Sequence, residues 1–328
     1  MADISTTYMG MHLKSPVIIG SSGLTNKIEN IKIFEQLGAG AVVLKSLFEE
    51  QIRQEIAHHI NSEQIDLQYP EAYDYIKNYS REQQVGRYLE LIKTCTQQTT
   101  IPIIASVNCI SSDEWITYAR QIEEAGAHAI ELNIFVLPSD PAMDSEKNEK
   151  QYFKIIEQVT KSISIPVSIK ISYYFSSLAK TVIELSWTGV KGIVMFNRFY
   201  SPDIDIDKME IISSNVFSSY NEITTPLRWI AMLSSRMQCD ACASTGAHDG
   251  SGVIKLMLAG AKAVQVVSSL YKNSFERISS MNYELKNWMI SKDFKTTGDF
   301  IGKLSIGKDD NPAALERVQF MKYFSGIE

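Results

Sequence analysis

The stretch AGAHAIELN, residues 125–133, decides the fold. Gly126 ends a helical pattern, EWITYARQIEEA, and opens an apolar run without alternation. Glycine suits a helix C-cap there, because it enters the left-handed backbone region without a Cβ clash. An apolar run lacking alternation suits a strand buried on both faces. The unit recurs as GAGAVVLKS (38–46), TGVKGIVMFN (188–197) and AGAKAVQVVSS (259–269). IPIIASVN (101–108) and IPVSIKIS (165–172) are further strands, entered through Pro102 and Pro166, where a ladder donor can be spared. PVIIGSSG (16–23) and CDACAST (239–245) complete a set of eight.

Amphipathic helical patterns such as IENIKIFEQL, EKQYFKIIEQVTKSI and LRWIAMLSSRM lie between most of these strands. Eight βα units predict an α/β fold, a TIM (β/α)8 barrel, over residues 1–328 as a single domain. A doubly wound open sheet is the alternative, disfavoured by the count and by the lack of an edge-like strand. ISTTYMGMHLKSP predicts an N-terminal hairpin within 1–15, turning near Gly10 and capping the barrel bottom. Residues 47–80 and 198–224 exceed ordinary βα loops and follow strand C-termini, so both are expected to roof the mouth.

Bulk properties narrow the function. The chain carries a net charge of −6 with 45% hydrophobic and 21% charged residues, ordinary for a soluble globular protein. It lacks a long basic run, an apolar span of membrane length and a signal-peptide pattern, so nucleic acid and membrane are not expected partners and cytoplasm is the default. No metal site is expected. Cys239-Asp-Ala-Cys242 matches C-x-x-C, but in a strand residues three apart face opposite ways, whereas a redox or zinc pair needs both sulfurs on one side.

Barrel chemistry lies at strand C-termini. Those ends read Ser21-Ser22-Gly23, Lys45-Ser46, Asn108-Cys109, Asn133, Lys170, Asn197-Arg198, Ser244-Thr245-Gly246 and Ser268-Ser269. Two lysines pointing into one mouth imply a bound anion or an electron-rich ring. The bland alternative is that each reaches solvent or pairs with a core carboxylate such as Glu131. Three strand-end amides suit a flat heterocycle with alternating donors and acceptors. Hydroxyls and a glycine ending the last two strands suit phosphate, although Ser and Thr also cap helices.

The set IIGSSGLT, VVLKS, ELN, PVSIK, MFNR and ASTG…AVQVVSSL resembles the dihydroorotate dehydrogenase family of FMN-containing TIM barrels, over roughly residues 4–275. Without a helical extension ahead of the barrel, it is similar to the soluble class 1 branch. The resemblance implies an FMN-dependent oxidoreductase acting on a CH–CH bond, dihydroorotate to orotate in pyrimidine biosynthesis; a homodimer is the expected assembly. It also implies that Ser21, Ser22 and Gly23 lie along the flavin, that Lys45 and Ser46 touch the ring and ribityl region, and that Lys170 sits by the N1/C2=O edge. Asn133 and Asn197 would meet ring and substrate, and Gly246 and Ser268 the phosphate; Asn108, Thr245 and Ser269 complete the expected cofactor set. The catalytic set is Lys45, Asn133, Lys170 and Asn197.

The departures concern proton transfer. Where soluble members read roughly L-N-x-S-C-P-N, this chain reads LNIFVLPSD, so Val136 holds the position of the Cys or Ser base and Pro138 that of the later Asn. Pro70-Glu71 replaces a Pro-Asn contact to substrate, and Thr245 and Val267 replace phosphate glycines. Another group must serve as base, with Asp140, Ser139, His248, Glu71 and Cys109 as candidates, or the substrate differs. Two alternatives stand beside this reading: a Schiff-base carbon–carbon lyase using Lys170 or Lys45, and a flavin-binding protein without turnover. No motif for an electron acceptor is present in the chain.

Overall fold

The computed structural model describes residues 2–50, 70–109, 112–134, 136, 139–198, 202–308, 310–311, 317 and 321–322, with main chain only for 70–82 and 112–113. Its centre is a closed parallel barrel of the eight predicted strands: β1 (Val17–Ile19), β2 (Ala41–Val43), β3 (Ile103–Asn108), β4 (Ala129–Asn133), β5 (Val167–Ile171), β6 (Gly192–Met195), β7 (Asp240–Ser244) and β8 (Ala263–Val266). Each pairs with the next, and β8 pairs with β1 through Val264↔Val17, closing the ring. A short extra strand, Leu47–Phe48, pairs beside the upper end of β3. The open-sheet alternative falls with the β8–β1 pairing.

Helices wrap the outside: α1 (Ile28–Gln36), α2 (Pro70–Gln98), α3 (Ser112–Glu124), α4 (Ser145–Ser162), α5 (Leu178–Ser186), α6 (Thr224–Leu233), α7 (Gly250–Ala259), α8 (Ser268–Lys272) and α9 (Arg277–Ser291). α4 illustrates the cause. Asp144 caps it by accepting from Lys147 N at 2.7 Å, and Tyr152, Ile155, Ile156 and Val159 form the face buried on the barrel. The recurrent glycines 38, 126, 189 and 260 all have positive φ, as C-caps demand.

The hairpin Thr6–Tyr8/Met11–Leu13 turns through Met9 and Gly10, both at positive φ. It plugs the bottom. Met9 N donates to Asp240 Oδ2 at 2.8 Å and Thr6 Oγ1 donates to the Lys262 carbonyl at 3.0 Å, both at the N-terminal ends of strands. Tyr8 and Leu13 pack among Ile18, Val43, Ile104 and Val194, which form an apolar barrel floor.

One loop expectation needs correction. The segment 47–80 is not loop throughout, since α2 begins at Pro70, and 51–69 lie outside the described residues. Proline is well placed at a first helical position, where its missing N–H costs nothing. The segment 198–224 carries an exposed hairpin, Pro202–Asp205/Glu210–Ser213, and then returns over the barrel mouth. Among the described residues no helix is long and apolar enough to cross a membrane.

Candidate active site

Parallel register decides which side chains share the mouth. Ser106 stands beside Glu131, Asn133 beside Lys170, and Ser244 beside Gln265. Alternate residues of each strand face the axis, so the apolar floor is overlaid by Ser106, Glu131, Ser168, Lys170 and Gln265. Lys170 Nζ donates to Gln265 Oε1 at 2.8 Å, and Gln265 Nε2 donates to Glu131 Oε2 at 2.5 Å. Glu131 is 1% exposed, and its Oε1 has no partner among the described residues. Burial pushes the Glu131 carboxyl up, against the opposing pull of Lys170 and of the Gln265 hydrogen bond. The bland alternative, a lysine paired with Glu131, is thus present only through an intervening amide.

A cavity of about 490 Å³, ample for a small-molecule ligand, runs from Lys170 and Gln265 out to Thr245, Gly246 and Ser268. Ser21 and Asn197 also line it, as do Val216, Phe217 and Ser218 from the 198–224 segment. Asn197 Nδ2 donates to Asn133 Oδ1 at 2.6 Å, which joins two of the strand-end amides. Ser46 Oγ lies 3.1 Å from Ser21 Oγ and 2.7 Å from Ser106 Oγ, so the first three strand ends are linked by hydroxyls. Lys45 is half-buried without a hydrogen-bonded or ionic partner among the described residues. Asn108 is buried at the end of β3.

The far end is built from backbone. Thr245 and Gly246 are consecutive left-handed residues, each with φ of 83°. A Cβ on Gly246 would lie 2.2 Å from Ile223 N, so only glycine lets the two segments approach. Above it Ser218 is held on all sides. Its N donates to Ser268 Oγ at 2.9 Å, its carbonyl accepts from Lys272 Nζ at 2.7 Å, and its Oγ lies 3.1 Å from His248 Nε2. Tyr220 packs on the His248 ring at 4.7 Å and Phe217 stacks on Tyr271 at 5.1 Å. His248 is buried and fastens the roof, and is therefore not a surface-loop residue. Burial, with Lys272 nearby, holds its imidazole below the ordinary value.

Several expected residues lie elsewhere. Ser22 caps the turn Gly23–Thr25, accepting from Leu24 N at 3.3 Å, and Gly23 sits against the Tyr271 hydroxyl. Ser269 is wholly buried and does not line the cavity, because α8 turns that hydroxyl inward. Ser139 and Asp140 are exposed, Cys109 is buried, and the Glu71 side chain and Pro138 lie outside the described residues. Cys239 and Cys242 differ in burial, both thiols are free, and burial pushes the Cys239 thiol up to about 12. Among the described residues no His, Cys, Asp and Glu cluster could hold a metal.

Val136 borders a second cavity, of about 380 Å³, with Tyr152, Tyr173, Tyr174 and Phe175. A smaller space of about 120 Å³ joins Tyr173 and Tyr174 to Asn197 and Arg198. Arg198 Nε donates to Glu222 Oε2 at 2.9 Å, a half-buried ion pair at the mouth. Gln265, Ser218 and this tyrosine pair escaped the sequence reading. Gln265 had a signal, a lone polar residue inside the apolar run AVQVV; Ser218 had none.

The family model for dihydroorotate dehydrogenase matches residues 71–289, well over half of the chain. The catalytic subunit of dihydroorotate dehydrogenase B (NAD(+)) from Thermoplasma volcanium is 23% identical over 323 residues, covering 92% of this chain and 98% of that protein. A putative dihydroorotate dehydrogenase A (fumarate) from Aeropyrum pernix is 22% identical, covering 92% and 97%. Among solved structures, the dihydroorotate dehydrogenase of Eimeria tenella, crystallised with ferulenol, superposes with a TM-score of 0.65 at 13% identity over 92% of this chain and 88% of that one, a likeness of fold. Enzymes of the matched family are oxidoreductases that act on the CH–CH bond of dihydroorotate. With its barrel and its matched span in agreement, this chain belongs to the dihydroorotate dehydrogenase family.

Proposed function

We propose that the chain is an FMN-dependent oxidoreductase acting on a CH–CH bond of a small planar substrate related to, but distinct from, dihydroorotate. One observation carries the reading: a single cavity has the Lys170 ammonium at its deep end and the left-handed pair Thr245–Gly246 with Ser268 at its outer end. That donor set fits FMN. Cation and amides suit the ring, and backbone N–H groups with a hydroxyl suit the phosphate. When bound, FMN supplies the hydride acceptor or donor. Lys170 offers positive charge to the ring edge, Asn133 and Asn197 orient ring and substrate as one hydrogen-bonded unit, and Ser21 and Ser46 brace the side of the cavity.

Val136 has no group that takes a proton, and a positioned base is worth about 10²–10⁴ in rate. Tyr173 and Tyr174 border both smaller cavities, and their phenols carry the proton instead. The hydrogen bond to Tyr174, with burial, raises the Tyr173 phenol; like any phenol it is protonated at neutral pH, so the role open to it is donating a proton to a double bond, not serving as a ready base. The lyase alternative loses support because Lys170 is held by Gln265 and Lys45 does not line the main cavity. Four free cysteines fit a reducing cytoplasm, and exposed Ile204, Ile206, Met209 and Ile211 on the hairpin fit a homodimer.

An absorbance scan of purified protein tests the reading, followed by anaerobic addition of dithionite and, separately, dihydroorotate. The expected result is a yellow protein bleached by dithionite and left unbleached by dihydroorotate. Failure to bind FMN removes the reading. Rapid bleaching by dihydroorotate removes the claim of a different substrate.

A further inference from the structure

We infer that Glu131, acting through Gln265, is a positioning residue that sets the charge Lys170 presents to the cavity and so tunes the reduction potential of the flavin seated there. This rests on the FMN reading above. The geometry is a three-residue chain that leaves β5, reaches β8 and returns to β4, the strand paired with β5. Gln265 spends its carbonyl on the ammonium and its amide N–H on the carboxylate. A flipped amide would set N–H against N–H and oxygen against oxygen. The two ions therefore fix the glutamine, and the glutamine fixes Nζ.

Glu131 is cut off from solvent and keeps one oxygen unpartnered, so its charge is answered by Lys170 alone. The other titratable groups facing it are Cys242 from β7, Tyr8 from the hairpin and Tyr88 from α2. Burial pushes each of these acids up, so all three stay neutral near pH 7. Lys170 and Glu131 thus form an isolated pair. With Glu131 ionised the pair is neutral toward the cavity; with a proton taken from solvent it is a net cation. Placing electrons on a ring beside Lys170 favours the second state. By linkage, protonating Glu131 favours reduction to the same degree.

The test is a dye-equilibrated redox titration of the FMN-loaded protein at pH 6, 7.5 and 9, with FMN affinity and melting temperature measured in parallel. Glu131→Gln is expected to move the oxidised-to-reduced ratio at fixed applied potential at least tenfold toward reduced, about 30 mV for a two-electron couple. It is also expected to flatten the pH slope, while Glu131→Asp stays near wild type. Should Glu131→Gln fail to fold, Gln265→Met removes the donor that holds the Glu131 carboxylate, favours its protonation and is expected to shift the potential the same way. FMN bound with an unchanged potential and slope in the variant that folds overturns the inference. A chain that binds no FMN overturns the functional reading instead.

Discussion

Replacing Gly246 by alanine separates two costs that the structure keeps distinct. An L-residue at φ of 83° loses about 1–2 kcal/mol from the left-handed conformation alone. The new Cβ would also stand 2.2 Å from Ile223 N and 2.5 Å from Ile223 Cα. Those are backbone atoms that cannot rotate away, and forced overpacking adds about 1–3 kcal/mol. Gly10 is the control. Its φ is 77°, yet nothing lies within 4 Å of its missing Cβ, and it sits at the opposite end of the barrel. Unfolding entropy near 2.1 cal/mol/K per residue gives about 0.7 kcal/mol/K for a chain of this length, so each kcal/mol moves the melting temperature by about 1.5 °C. Gly10→Ala is therefore expected to melt about 1.5–3 °C below wild type, and Gly246→Ala about 3–7 °C below. Displacing Ile223 also disturbs Glu222, which holds Arg198 at the mouth, so FMN affinity should fall at least tenfold in Gly246→Ala alone. The assays are a circular-dichroism melt and an FMN fluorescence titration. Equal melting of the two variants with unchanged FMN binding would refute the clash argument.

Tyr88→Phe removes a hydroxyl that accepts from Ser106 N at 2.8 Å and donates to the Ser106 carbonyl at 3.0 Å; a thermal melt should show a loss of about 1–3 kcal/mol from the orphaned backbone N–H. The His248 imidazole is depressed on folding, so its contribution is present above its unfolded value, near pH 6.5, and is lost as pH falls through the lower folded value. Hydrogen exchange of residues 214–220 should accordingly speed up between pH 7.5 and 5.5 in wild type, beyond the intrinsic rate change, and not in His248→Gln. Tyr173→Phe combined with Tyr174→Phe should slow turnover of the accepted substrate about 10²–10⁴-fold while leaving the flavin spectrum intact, read by stopped-flow absorbance. Ile206 and Ile211 are 82% and 75% exposed; changing both to Asp should abolish the proposed homodimer, read by light scattering against the unaltered chain, without altering flavin content.

Much of the barrel was legible because each strand carries its own local signal. A C-capping glycine and a run buried on both faces need no distant partner to be recognised, and all eight strands occur where those runs stand. The hairpin near Gly10 was legible for the same reason. The α2 start was not, because PEAYDYIKNYSREQQ is polar and weakly amphipathic, so its helical content does not show as a stripe. Strand ends marked Lys170, Asn133, Asn197, Thr245, Gly246 and Ser268, since position along a barrel strand already tells which end a residue occupies.

Local chain order by itself determined the eightfold barrel and the end of it at which Lys170, Asn197, Thr245 and Ser268 gather. What only the tertiary structure decided is which polar groups meet. Lys170 reaches Gln265 across 95 positions, Gln265 reaches Glu131 across 134, and Ser218 reaches His248 across 30. Ser22 and Ser269 carry the same hydroxyl as Ser21 and Ser268 yet turn away from the cavity. The reason is geometric. Propensity and burial periodicity act between neighbours in sequence, whereas a hydrogen bond depends on register and side-chain direction, which exist only once the barrel has closed.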